Sequence, residues 1–151
     1  MNFKSGTNDA TKKQGYETVK KYMVHVSKLI TFSPDQLVSE AIDIILEKKI
    51  SGAPVLDKTG RLVGMLSEKD CLRLIIDKAY HNMPNENKKV SDYMTREVRT
   101  VAAELDIVTV ANRFLVSPVR RLPVVEDDVL IGQISRRDVL KAAREIEATT
   151  W

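Results

Sequence analysis

Gly64-Met65-Leu66-Ser67-Glu68-Lys69-Asp70 returns as Gly132-Gln133-Ile134-Ser135-Arg136-Arg137-Asp138, 68 residues further on. Working outward, Ala53-Pro54-Val55 returns as Leu122-Pro123-Val124 at an offset of 69, and Tyr22-Met23 returns as Tyr93-Met94 at an offset of 71. The second copy is therefore two residues shorter after its Tyr-Met and one residue shorter in the hairpin before its Gly. Between Thr31 and Pro54 the 69-residue offset runs without a gap, pairing Thr31 with Thr100, Ile45 with Phe114 and Ile50 with Val119. Apolar phase, Pro, Gly, Ser and Asp repeat together, which is the signature of an internally duplicated unit.

Each copy reads as the same small α/β (α+β) unit, in the order strand, helix, strand, strand, helix. In the first, Ser33-Pro34-Asp35 predicts a helix start, with a capping hydroxyl, proline at the first helical position and an acid in the first turn. Leu37, Val38, Ala41, Ile42, Ile45 and Leu46 follow as one helical stripe expected to be core. Ala53 to Leu56 and Arg61 to Leu66 read as strands around an Asp57–Gly60 loop, and Ser67 as the cap of a second helix carrying Leu72, Leu74, Ile75 and Ile76. The second copy repeats this with a stripe from Ile107 to Leu115, strands around Glu126–Asp128, and a last helix from Arg136. The expected boundaries are a polar tail over 1–15, a first repeat over 16–81, a linker over 82–89, a second repeat over 90–148 and an end over 149–151.

Composition sets limits. The 151 residues carry 43% hydrophobic and 30% charged side chains and a formal net charge of +3. That balance fits a globular chain with a core of its own and argues against an acidic or basic disordered protein. The charge is too small to indicate nucleic acid, and only 5% of residues are aromatic, so basic-aromatic stacking platforms are not expected. One cysteine, Cys71, excludes an internal disulfide. Apolar runs of four or five residues do not span a membrane, and residues 1–15 do not read as a secretory leader; the expectation is a cytoplasmic protein. No catalytic motif and no metal-ligand spacing is present, so no enzyme activity, no catalytic residue and no metal are expected. His25 and His81 are unduplicated and read as loop residues. Cys71, opposite Val139 in the repeat, reads as a small buried apolar residue.

A duplicated unit of about seventy residues with a Pro-Val strand, a Gly-containing return strand and a terminal Gly-x-x-Ser-x-x-Asp resembles a pair of cystathionine-β-synthase (CBS) domains, over Val19 to about Ala143. The resemblance implies tandem CBS domains packed as a pseudo-two-fold pair in a stand-alone protein. It implies regulatory binding of an adenine nucleotide (AMP, ADP or ATP, with S-adenosylmethionine as the alternative) in clefts between the repeats. It also implies a homodimer and an unidentified regulated protein, with no obligatory cofactor.

The residues suit that ligand. Ser67 and Ser135 stand at strand-to-helix junctions, where unpaired backbone N–H groups and the positive helix end favour phosphate. Asp70 and Asp138, one turn on, can accept both hydrogens of a ribose diol. Met65 and Gln133 precede the serines as candidate walls for the base. By the family's cross-repeat pattern, Asp70 and Ser67 meet Thr100 and the segment Val119-Arg120-Arg121-Leu122, whose guanidiniums would hold phosphate. Asp138 and Ser135 meet Thr31 and the uncharged Ser51-Gly52-Ala53, so Arg136 and Arg137 would supply the cation. The Asp70 pocket is thus expected to grip more phosphate charge. The plainer reading of both serines and aspartates is a helix cap and its first-turn acid, and of the arginines a solvated edge. The competing functions are a ligand-free dimerising scaffold and a nucleic-acid binder.

Overall fold

The computed structural model describes residues 15–81 and 87–149, excluding the side chains of 147–149. Of the expected tail, linker and end, residues 1–14, 82–86 and 150–151 lie outside the described residues. In chain order the elements are β1 (Val24–His25), α1 (Val38–Lys48), β2 (Gly52–Leu56), β3 (Leu62–Ser67), α2 (Glu68–Tyr80), α3 (Val90–Tyr93), β4 (Val101–Ala102), α4 (Ile107–Leu115), β5 (Arg121–Glu126), β6 (Val129–Ser135) and α5 (Arg136–Thr149). The packing groups them into two units, one of Ile30–Val98 and one of residues 15–29 with 99–149. These units do not coincide with the sequence repeats, because each repeat's leading segment packs into the unit built mainly from the other.

In the first unit β2 and β3 pair antiparallel, with Pro54 opposite Met65 and Ala53 opposite Leu66. Strict alternation along β3 puts Leu62, Gly64 and Leu66 inward. Phe32 bridges in parallel to Val55 on one side, and Thr95, from the second repeat's lead, bridges antiparallel to Met65 on the other. The second unit realises the same plan as a four-stranded sheet in the order β1-β6-β5-β4. There Val101 pairs in parallel with Val124, and Val24 pairs antiparallel with Gln133. The shorter second hairpin turns on Asp127 and Asp128, both at positive φ (50° and 66°), the two-residue turn that suits the twist of paired strands.

The exchange of leads is symmetric down to single hydrogen bonds. Val38 N–H donates to Lys88 O and Val90 N–H to Gln36 O, both at 2.9 Å. In the second unit Ile107 N–H donates to Glu17 O at 2.9 Å and Val19 N–H to Leu105 O at 2.8 Å. Val19 and Val90 are wholly buried, each in the core of the unit that its lead joins.

This pairing corrects the expected start of α1. Ser33 to Gln36 forms a turn, with Gln36 N–H donating to Ser33 O (3.2 Å) and Ser33 N–H to Gln36 Oε1 (3.2 Å). Backbone carbonyls of Pro34 and Gln36 are taken by the lead segment, so they are not available to a helix. The helix begins at Val38 without a side-chain cap. In α4 the equivalent position is Asp106, whose carboxylate accepts from Thr109 N–H (2.9 Å) and its hydroxyl (3.0 Å). The stripes are core as expected at Val38, Ala41, Ile45, Ile107, Val110 and Phe114. Their last members are not: Leu46 is 67% and Leu115 83% exposed, and Leu72, Ile75 and Ile76 of α2 are exposed too. Cys71 is half-buried against the first unit's core.

Two clasps hold the leads. A Cβ on Gly132 would lie 2.6 Å from Met23 Sδ and from Val24 O; one on Gly64 would lie 2.7 Å from Met94 Sδ and 2.9 Å from Thr95 O. Beside them, Tyr22 OH donates to Glu145 and Tyr93 OH to Asp77 (2.6 Å), two acids 68 residues apart. Burial of Tyr93, then its bond to Asp77, pushes its pKa up to about 12.

Gly132→Ala is expected to cost about 1–3 kcal/mol, since a neighbour must move and one of the two is backbone; chemical denaturation measures it, and Met23→Ala should relieve only the sulfur clash. Tyr93 is protonated in the folded state to higher pH than in the unfolded chain. Its contribution to stability is complete below the ordinary tyrosine value near 10 and is lost as pH rises through about 12. Tyr93→Phe should therefore remove the latest phenolate step from an ultraviolet titration and cost about 0.5–1.5 kcal/mol at neutral pH.

Candidate functional site

The Gly-x-x-Ser-x-x-Asp segments form one construction twice. In the first unit, Ser67 N–H and Ser67 Oγ–H both donate to Asp70 Oδ2 at 2.9 Å, and Asp70 N–H donates back to Ser67 Oγ at 3.2 Å. Ser135 and Asp138 repeat this with the same three distances. Both are capping boxes, in which side chains satisfy the donors that a helix start leaves over. The plainer sequence reading of these residues is thus realised in full.

One expectation for the helix ends does not hold. The first helical N–H groups are not unpaired: Glu68 N–H donates to Ser51 O at 2.9 Å and Arg136 N–H to Arg120 O at 3.2 Å. With the serine N–H and the aspartate N–H already bonded inside the box, most of the donors that would greet a phosphate are spent. The positive helix end remains.

The two aspartates differ in their second oxygens. Asp70 Oδ1 accepts from Thr95 Oγ1 at 2.9 Å. The lead residue aligned with Thr95 at the 71-residue offset is Val24, which has no hydroxyl to give Asp138. Asp70 is half-buried, and Asp138 is 8% exposed.

Around the first box, Met65 sits opposite Pro54 and hydrogen-bonds with Thr95 through both backbone groups (2.8 and 2.9 Å). Ala53 is buried, Gly52 faces Ser67 across the hairpin, and Ser51 is exposed. Thr31 is half-buried on the strand-like segment before α1. Around the second box, Gln133 sits between Pro123 and Val24, Arg121 pairs with Ser135, and Arg136 Nε–H donates to Val119 O at 3.2 Å. Arg120, Arg121 and Arg137 are exposed.

The second unit also holds a concave pocket of about 350 Å³ lined by Arg99, Thr100, Arg113, Val116, Ser117, Val119 and Leu122. That volume lies within the range of small-molecule sites. Three residues anticipated from sequence fall in it: Thr100 and Leu122, with Val119 beside them. Arg120 and Arg121 do not line it. Their place is taken by two arginines that sequence reading missed, Arg99 and Arg113. Thr100 is 1% exposed and its Oγ1 has no hydrogen-bond partner among the described residues. An unpaired buried hydroxyl costs about 1–3 kcal/mol, a penalty that a ligand atom in this pocket would offset.

Burial, reinforced by the charges of Asp70 and Glu68, raises the Cys71 pKa, which keeps the thiol protonated. Among the described residues no cluster of three or more His, Cys, Asp or Glu side chains is placed to hold a metal, and no helix is long and apolar enough to cross a membrane.

Comparison with known proteins agrees with this architecture. The family model for the CBS domain matches twice, over residues 19–77 and 90–145. The crystal structure of CBSX2 in complex with AMP is 33% identical, with a TM-score of 0.74, covering 87% of this chain and 98% of that one; CBSX2 is a protein of Arabidopsis thaliana. In Methanocaldococcus jannaschii, the uncharacterised protein MJ1225 is 32% identical over 75% of this chain, and the inosine-5′-monophosphate dehydrogenase is 36% identical over 83%. The matched stretches make up only 39% and 24% of those two longer proteins. The repeated hairpin, its capping box and both matched segments place this chain in the CBS-domain family, with a pair of CBS domains.

Proposed function

We propose that this CBS pair is a regulatory module without enzyme activity of its own, which binds an adenine nucleotide and passes its occupancy to a partner protein or to a second copy in a homodimer. The observation that carries the reading is the pocket at Thr100. It combines a buried, unpartnered hydroxyl with an apolar wall of Val116, Val119 and Leu122 and with cationic side chains. An apolar wall suits a purine face, and the polar members suit ribose and phosphate. The 33%-identical relative CBSX2, crystallised with AMP, supports the same ligand class. In this reading Asp70 and Asp138 accept ribose hydroxyls, with Ser67 and Ser135 fixing their rotamers. Thr31, Ser51, Gly52, Ala53, Met65 and Gln133 line the nucleotide, and Arg120, Arg121 and Arg136 lie along the path of its phosphates.

The capping role changes how the aspartates are tested. Asp70→Ala or Asp138→Ala breaks a capping box and should cost about 0.5–2 kcal/mol with no ligand present, so lost stability alone says nothing about binding. The decisive quantity is the nucleotide-dependent gain. At 100 times its dissociation constant a nucleotide should stabilise the wild type by about 2.7 kcal/mol, and the double Asp→Ala variant should lose most of that increment in thermal unfolding. An undiminished increment would remove the aspartates from the site; no increment with AMP, ADP, ATP or S-adenosylmethionine in the wild type would favour a ligand-free scaffold.

A further inference from the structure

The two units share one plan, so each position of the Thr100 pocket has a counterpart at the 69-residue offset. Arg99 corresponds to Ile30, Arg113 to Ile44, Val116 to Glu47, Ser117 to Lys48 and Val119 to Ile50. In the first unit Ile30, Ile44 and Ile50 pack against the core. The fold is thus satisfied by isoleucine where the second unit carries arginine. Arg99 and Arg113 are not demanded by the architecture.

The arginines come with a prepared hydroxyl. Arg99 Nη1–H donates to Ser117 Oγ at 2.9 Å, and Val119 N–H donates to the same oxygen at 3.4 Å. A hydroxyl oxygen accepts two hydrogen bonds and donates one. With both acceptor positions of Ser117 engaged, its proton is left for an acceptor in the pocket. Two guanidiniums and an O–H donor line the same wall as the unpartnered Thr100 hydroxyl. None of these four groups is an acid. The set matches a ligand rich in anionic oxygens, and more of them than one phosphate presents, since a single guanidinium already pairs two oxygens of one phosphate.

Resting on the adenine-nucleotide reading above, we infer that the Arg99–Arg113–Ser117 face makes this pocket selective for a nucleoside di- or triphosphate over the monophosphate. Arg99 and Arg113 are its specificity-determining residues, and Ser117 orients Arg99.

Isothermal titration of the full chain with AMP, ADP, ATP and inorganic tripolyphosphate tests this, in wild type and in the double variant Arg99→Ile, Arg113→Ile, which copies the first unit. The wild type should bind ATP at least roughly tenfold more tightly than AMP, the size of one charge-assisted hydrogen bond. The double variant should lose that preference. Arg113→Lys keeps the charge and should retain part of the preference, and it serves as the check if the double variant unfolds. Equal affinity of wild type for AMP and ATP, or a preference surviving in the double variant, overturns the inference. If no nucleotide binds but tripolyphosphate binds to wild type and not to the variant, the polyphosphate site stands and the adenine reading fails. If neither binds, both fall.

Discussion

The contact on which the rest depends is the approach of a methionine side chain and a strand edge to a glycine that has no Cβ. At Gly64 and at Gly132 the incoming lead lies where a methyl group would stand. Only then can Thr95 add to the edge of β3 and Val24 to the edge of β6. An open strand edge is a hazard in water, and each hairpin covers its own with a piece of the other repeat. The buried valine of each lead and the tyrosine bond to the last helix follow from the same docking. The glycine that opens Gly-x-x-Ser-x-x-Asp therefore serves assembly, and the serine and aspartate that close it serve the helix start.

The exchange also explains why two equal sequence copies do not make two equal sites. Thr95 reaches Asp70 only because the second repeat's lead packs into the first unit. The corresponding lead residue in the second unit is a valine. Likewise the wall around Thr100 carries arginines where the first unit carries isoleucines packed against its core. Duplication fixed the backbone twice, and side chains on that backbone then set the chemistry separately.

Much of this was legible in the sequence. The repeated hairpins, the serine caps and the core phase of Val38, Ile45, Val110 and Phe114 follow from local chemistry and periodicity. The delayed start of α1 was not, because Ser33-Pro34-Asp35 carries every local sign of a helix start and is overruled by backbone bonds to residues more than fifty positions away. Apolar period likewise announces a helix without saying how far its stripe is covered, so Leu46 and Leu115 read as core and lie outside. Arg120 and Arg121 drew attention as a pair, whereas Arg99 and Arg113 lie fourteen residues apart and meet only through the turn from β4 into α4. A signal for them did exist in the repeat: at the 69-residue offset both fall on isoleucines, a swap of charge for apolar bulk between copies that otherwise keep their phase.

The capping boxes limit what the helix starts themselves present. A helix start with free N–H groups would attract any phosphate through backbone, which is the same in both units and insensitive to side chains. Here the first and third helical N–H groups are taken, by Ser51 O and Ser67 Oγ in one unit and by Arg120 O and Ser135 Oγ in the other. The side chains of the boxes and of the Thr100 pocket offer carboxylate, hydroxyl and guanidinium. Of these the guanidiniums are unevenly shared, since Arg99 and Arg113 have no cationic counterpart at Ile30 and Ile44. The two halves thus share the carboxylate and hydroxyl of the capping box and differ in their guanidiniums.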